Sequence, residues 1–348
     1  MSTARAFAKI NLALAVGSLR PDGKHEVVTV LQRIDLHDSM TVEMSDALIV
    51  EGFAADTIVR TALESLARAA GIGPRWHVTI EKRIPIAAGL GGGSSDAATA
   101  LILANATLAR PLSAAELHAV AAGIGADVPF FLGLGAQVGR GDGTQLERID
   151  LPTGYSVVLV VPNGETKEST GAVYAAFDAR QGADGFAERA AALTEALAAV
   201  ASPRDLAALP HNDLASSSLA AELEAVGAFR ADVSGAGPTV YGLFEEHEAA
   251  SRAAERVADI GATYVTRPVE ASELPKMTSS LDVLGGQAML VDMTGSDKKT
   301  NQKARLITAI VAREGSTWFY KLMGDEPVVA REKETFIKFV QTVRYPNG

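Results

Sequence analysis

The stretch that most restricts how this chain can fold is PIAAGLGGGSSDAATALILANATL, from Pro85 to Leu108. Gly89, Gly91, Gly92 and Gly93 crowd its start, and Ser94, Ser95 and Asp96 lead into an alanine-rich run. Glycine reaches positive φ at little cost and lets backbone approach a ligand closely. Such a turn opening a helix aims several N–H groups at one point, where the helix dipole adds partial positive charge. The natural guest is a phosphate, although the same residues also suit a turn that only packs a strand against a helix. Ser94, Ser95 or Asp96 is expected to cap that helix. No Gly-Lys-Ser/Thr follows the glycines, so this is not a Walker A loop. No acidic residue ends a second strand about 20 residues on, so the dinucleotide fingerprint lacks its setting.

Around this stretch, strand and helix signals alternate without strict βαβ order. Residues 5–16 read as an apolar strand ending in a Pro21-Asp22-Gly23 turn. VVTVLQRIDL and SMTVEM read as two strands, 55–71 as a helix, and WHVTIEKRIPI as a strand. Ser113 with Glu116 forms a capping-box signature, and GADVPFFLG reads as the close of that helix. The pattern restarts near residue 151: YSVVLVVPNG as a buried strand, 169–180 and 184–200 as helices, ADVSGAGPTVYGLF as strand–turn–strand, then a helix and a last strand, ATYVTRPV. This arrangement predicts an α+β class with helices on one face of mainly antiparallel sheets.

Composition limits the partners. A net charge of −10 argues against nucleic acid, and no apolar run reaches the ~20 residues of a membrane span. Arg5 and Lys9 before INLALAVGSL loosely imitate a signal peptide, but Asn11 interrupts the run. The absence of cysteine excludes disulfides and thiolate metal sites and fits a reducing compartment, so a cytoplasmic location is expected. Near residue 274 the composition changes. The first 274 residues hold four lysines and the last 74 hold seven; the tail carries +3 against −13 for the rest. QAMLVDMTG, ARLITAIVAR and STWFYKLMG read as strands and VVAREKETFIKFVQTV as a helix, joined through LPKMTSSLD. This is a separate small α+β module, marginal alone at this size.

Three further clusters carry chemistry. In AKINL, Lys9 and Asn11 stand two apart on a strand and so share a face; a snorkelling edge lysine or a cation beside a phosphate or acidic base both fit. In GADVPFF, Asp127 lies between Gly125 and Pro129, either in an Asx-turn or as a base kept ionised by Lys9. In SGAGPTVYGLF, Ser234, Gly235, Gly237 and Pro238 mark a hairpin; if it meets the first loop, its N–H groups complete a phosphate cradle.

Together, in this order and spacing, these segments resemble the GHMP kinase superfamily: an N-terminal Lys motif, a central P-x-x-x-G-L-G-G-G-S-S motif and a C-terminal S-G-x-G-P-T motif. Within it the resemblance is closest to the 4-diphosphocytidyl-2-C-methyl-D-erythritol kinase family of non-mevalonate isoprenoid biosynthesis. The opening AKINLALAVGSLRPDGKHEVVTVLQRIDLHD, PIAAGLGGGSSDAA, GADVPFFLG, HNDL and SGAGPT have counterparts there, and the likeness runs from residue 1 to about 272. It implies a two-domain α+β GHMP kinase fold with the active-site cleft between the domains. Residues 1–150 would form the ATP-binding domain, 151–272 the second domain and 273–348 an extra module.

The resemblance also implies roles. Pro85, Gly89, Leu90, Gly91, Gly92, Gly93, Ser94 and Ser95 would hold ATP, with Mg2+ as cofactor and its ligands unassigned. Asp127 would take the proton from the acceptor hydroxyl, with Lys9 holding both. Asn11, Lys24, His25, Thr170, Tyr174, Gly235 and Gly237 would face the acceptor, CDP-methylerythritol, with His25 at the cytosine edge and Tyr174 stacked on the base. The family usually reads D-G-Y-H where this chain has Asp22-Gly23-Lys24-His25; Lys24 in place of the tyrosine offers a charge contact to a diphosphate, weakens cytidine binding or shifts the substrate. The alternatives are another GHMP small-molecule kinase (mevalonate-type, homoserine or sugar alcohol) or a binding protein on this fold. The expected partners are small molecules, with the chain a monomer or homodimer.

Overall fold

The computed structural model describes residues 2–53, 58–163, 169–215, 217–270, 279–283, 286–296, 303–313 and 316–344. Three sheets follow one another along the chain. The first is built from β1 (Ser2–Leu19), β2 (His25–Met44), β3 (Ile49–Glu51), β4 (Trp76–Glu81), β5 (Ala136–Gly141) and β6 (Gln145–Ile149). Its order is β3-β4-β2-β5-β6, with β1 also paired to β2, and only β3/β4 is parallel. β2 is one continuous strand where the sequence suggests two. A register shift between Phe7 and Ala8 of β1 skips residues of β2, so the strand bends without ending. β4 stops at Glu81, and the KRIPI segment after it is loop.

The helices of this part are α1 (Ile58–Ala70), α2 (Gly92–Asn105), α3 (Ala114–Ala122) and α4 (Val128–Leu132). α1 presents Val59, Ala62, Leu63 and Leu66 to Trp76, Val78 and Ile80 of β4 and to the alanines of α2, the i, i+3, i+4 stripe of an amphipathic helix. Small residues along α2 let it sink into the core, so it is buried on nearly every side.

The second sheet, in the order β10-β7-β9-β8, is antiparallel throughout: β7 (Ser156–Pro162), β8 (Arg230–Val233), β9 (Val240–Phe244) and β10 (Gly261–Thr266). Helices α5 (Thr170–Ala179), α6 (Phe186–Ala198), α7 (Leu219–Ala225) and α8 (His247–Arg256) accompany it. One face packs Val158, Val160, Val240 and Phe244 on Ala250, Ala253 and Ala254 of α8. The other joins Val157, Leu159, Tyr241 and Leu243 to Ile10 and Leu12 of β1. β1 is therefore covered on both faces and buried without interruption from Ala6 to Gly17, the pattern of a doubly covered strand rather than an alternating one. Buried Arg230 fixes this contact by donating to the Leu12 carbonyl at 2.8 Å.

The third sheet, β11-β12-β13-β14, is antiparallel: β11 (Ser279–Val283), β12 (Gly286–Ser296), β13 (Lys303–Arg313) and β14 (Ser316–Asp325). α9 (Glu326–Thr342) packs Val329 and Val340 on Ile307, Ala309 and Val311. β11 falls in the segment read as a linker; residues 271–278 lie outside the described residues. Among the described residues no helix is long and apolar enough to cross a membrane.

Candidate active site

The glycine stretch opens α2 as expected, but the cap differs. Gly91 occupies the N-cap with φ 70°, α2 begins at Gly92, and no side chain caps it. Ser94, Ser95 and Asp96 lie inside the first turns. The N–H of Ser95 already donates to the Gly91 carbonyl at 2.8 Å and its side chain is buried. The leading N–H groups of α2 have no intrahelical partner and no competing side chain. A methyl group on Gly91 would stand 3.0 Å from both Lys9 Cγ and Phe131 Cζ, so this cradle excludes a side chain. Its free N–H groups and helix dipole suit a phosphate group.

The two glycine turns meet. Gly89, at φ 80°, lies so close to the second turn that an added Cβ would be 2.4 Å from the Ser234 carbonyl oxygen. Ser234 Oγ donates to the Gly89 carbonyl at 3.0 Å, and the Thr239 N–H to that of Ala88 at 3.3 Å. Asn212, from HNDL, supports the second turn by donating to the Val233 and Gly235 carbonyls at 2.9 and 2.6 Å. Asp213 accepts from the Val16 N–H at 2.7 Å and Arg189 at 2.9 Å, tying the same loop to β1.

Beneath the glycines sits a polar chain in otherwise apolar surroundings. The Lys9 N–H donates to the Leu90 carbonyl at 2.9 Å. Its buried ammonium donates to Asn11 Oδ1 at 2.5 Å and lies 3.3 Å from Asp127 Oδ2. Asn11 donates to Thr29 Oγ1 at 2.8 Å, which donates to the Ala13 carbonyl at 2.9 Å. The shared face of Lys9 and Asn11 is as read from their spacing. Asp127 differs in setting: it is the N-cap residue of α4, not the end of α3, and its side chain makes no capping hydrogen bond.

A second group forms the far wall. The His25 and Tyr174 rings lie 4.7 Å apart at 31°, and His25 Nε2 is 2.9 Å from Asp178 Oδ1. Burial, followed by the charge of Asp127, pushes the Tyr174 phenol up to about 12. Lys24 pairs with Asp142 Oδ2 at 2.6 Å. Partial burial works to raise the Asp142 carboxyl, but hydrogen bonds from Lys24 and Thr144 prevail and hold it at about 2.

The glycine cradle, the Lys9–Asn11–Asp127 group and the His25–Tyr174 wall line one cleft of about 840 Å³. Lys9, Asn11, Lys24, His25, Pro85, Gly89, Leu90, Gly91, Gly92, Gly93, Ser94, Asp127, Thr170, Tyr174 and Gly235 face it; Ser95 and Gly237 do not. Gly237 instead backs the Gly89 turn. Sequence reasoning missed Thr29, Asp142, Asp178 and above all Lys82. Lys82 bridges Asp38 and Asp96 at 2.5 and 2.7 Å. Burial pushes Asp96 up, to about 7, against the pull of Lys82. The ion pair joins β2 to α2 across a long sequence gap, so no local motif could show it.

The sequence matches the GHMP kinases N terminal domain over residues 57–134 and the GHMP kinases C terminal domain over 215–263. A 4-diphosphocytidyl-2-C-methyl-D-erythritol kinase from Salinispora arenicola is 39% identical over 294 residues, covering 78% of this chain and 91% of the relative. The chain belongs to that kinase family. A relative of the same name from Geobacter sulfurreducens is 36% identical, covering 73% and 93%. The crystal structure of a 4-(cytidine 5'-diphospho)-2C-methyl-D-erythritol kinase superposes with a TM-score of 0.62 at 31% identity, over 76% of this chain and 98% of that one. A mevalonate kinase structure superposes equally well (0.62) at 13% identity, over 78% and 100% of the two chains, which shows a shared fold. Neither domain match reaches the third sheet.

Proposed function

We propose that the chain transfers the γ-phosphoryl group of ATP to the 2-hydroxyl of 4-diphosphocytidyl-2-C-methyl-D-erythritol. The observation that carries this reading is the meeting of Lys9, Asn11 and Asp127 directly under the uncapped start of α2, in one cleft. Phosphoryl transfer passes through a loose transition state, so catalysis is mostly positioning and electrostatic stabilisation. The N–H groups of α2 hold the phosphate chain. Asp127 accepts the proton of the acceptor hydroxyl. Lys9 pairs with Asp127 and faces the charge that develops on the transferring group. Asn11, itself held by Thr29, fixes the Lys9 ammonium by accepting its hydrogen bond. Tyr174 and His25 offer aromatic surface to the cytosine, where stacking on a ring is worth ~1–3 kcal/mol per base.

Among the described residues no group of three or more His, Cys, Asp or Glu could hold a metal. Mg2+ would come with the nucleotide in this reading and would supply neutralisation of phosphate charge, as Mg2+ held largely by substrate phosphates commonly does. ATP and a nucleotide-linked acceptor call for a cytoplasmic setting. The full chain mixed with MgATP is expected to release ADP only when the acceptor is added; no acceptor-dependent ADP above background overturns the proposal.

A further inference from the structure

Among the described residues that line the cleft, three are cations: Lys9, Lys24 and Lys82. Two are already committed and enclosed. The Lys9 side chain is 4% exposed and held by Asn11 and Asp127. That of Lys82 is 15% exposed and held between Asp38 and Asp96. Lys24 is 47% exposed at the rim, and Asp142 is its side-chain partner. Its backbone is fixed: the Lys24 N–H donates to Asp22 Oδ1 at 3.1 Å, and its carbonyl accepts from the Arg20 N–H at 2.7 Å. Asp142 is fixed as well, through the Thr144 hydroxyl at 2.6 Å and N–H at 3.2 Å. A flexible lysine stem thus stands on a hydrogen-bonded turn, in the same cleft as His25 and Tyr174, with its charge held in place by the Asp142 carboxylate.

A nucleoside diphosphate ester entering along His25 brings about two negative charges into a wall that already carries Asp127, Asp142 and Asp178. Like charges at that range repel strongly in a partly dry cleft. We propose that Lys24 is the specificity-determining cation for the diphosphate of the acceptor, with Asp142 as its holder. This rests on the acceptor assigned above and extends it. On binding, the ammonium lies between the Asp142 carboxylate and the diphosphate, serving both with its three N–H donors. A neutral alcohol gains nothing from this arrangement, so the pair selects nucleotide-linked acceptors over simple polyols. It also accounts for a lysine where the family usually has tyrosine: charge contact takes the place of an aromatic one.

The test is calorimetric titration of the full chain with CDP and, separately, cytidine, for wild type, Lys24→Gln, Lys24→Arg and Asp142→Asn. Lys24→Gln is expected to weaken CDP about tenfold or more at low salt while leaving cytidine within about twofold, since charge-assisted contacts act on the phosphates alone. The CDP deficit should shrink in ~0.5 M salt as exposed charges are screened. Lys24→Arg should keep CDP affinity, and Asp142→Asn, which keeps an acceptor for the ammonium but removes the competing charge, should match or exceed wild type. If Lys24→Gln binds CDP as wild type does, or loses CDP and cytidine equally, the inference is overturned while the acceptor assignment stands. A wild-type chain that binds neither CDP nor cytidine removes the acceptor assignment, and this inference with it.

Discussion

The ammonium of Lys9 lies 3.3 Å from the carboxylate of Asp127. Lys9 comes from the first strand and Asp127 from the N-cap of α4, and the Lys9 backbone also holds the glycine loop through Leu90. One residue thereby sets the distance between the phosphate cradle and the base. Replacing Asp127 by Asn keeps its size and removes the proton acceptor. We expect kcat to fall by about 10²–10⁴-fold, the usual worth of a general base, while ATP binding stays near wild type. Steady-state kinetics with nucleotide titration checks both halves.

Gly89→Ala should disturb loop and fold together. The new methyl group would meet the Ser234 carbonyl at 2.4 Å in a residue held at positive φ. A loss of about 1–3 kcal/mol in stability is expected from the strained backbone alone, with a raised KM for ATP because the two glycine turns separate. Urea unfolding and ATP kinetics report the two effects.

The Asp38–Lys82–Asp96 cluster is a buried ionic network. Lys82→Met leaves two buried carboxylates facing each other, a change expected to cost about 3–5 kcal/mol. The pH dependence has a defined sign. Asp96 titrates near 7 in the folded chain, above its ordinary value, so the native state binds the proton more tightly than the unfolded one. Its contribution to stability is present at low pH and is lost as pH rises through about 7. Asp96→Asn should flatten that part of a stability–pH curve measured by denaturant unfolding; an unchanged slope means that Asp96 is not the titrating group.

The third sheet and α9 have a hydrophobic cluster of their own, drawn from residues 283–340 alone. Cleavage between the second and third sheets is therefore expected to leave a product of about 270 residues with acceptor-dependent kinase activity. Limited proteolysis followed by assay decides this. Loss of activity on cleavage would show that the tail supports the cleft.

Several parts of this structure were legible because they are local. The glycine run, the Ser113–Glu116 capping box and the Lys9–Asn11 spacing each state their geometry within a few residues, and each stands as read. The α2 cap was misread because Ser94–Asp96 have cap chemistry, yet Gly91 supplies the left-handed turn first and Asp96 is drawn inward by Lys82. The length of β2 was misread because a bulge leaves no residue signature in HDS. Lys82, Asp142 and Asp178 escaped because their partners lie far away in sequence. Such pairings depend on how the sheets and helices assemble, which periodicity does not encode.

The most direct measurement is phosphorus NMR of the reaction of the full chain with MgATP and 4-diphosphocytidyl-2-C-methyl-D-erythritol, run beside the Asp127→Asn variant. The account requires a new phosphomonoester signal on the 2-oxygen of the acceptor, formed together with ADP and nearly absent in the variant. ADP and inorganic phosphate without that ester, or an equal yield of ester from Asp127→Asn, would contradict it.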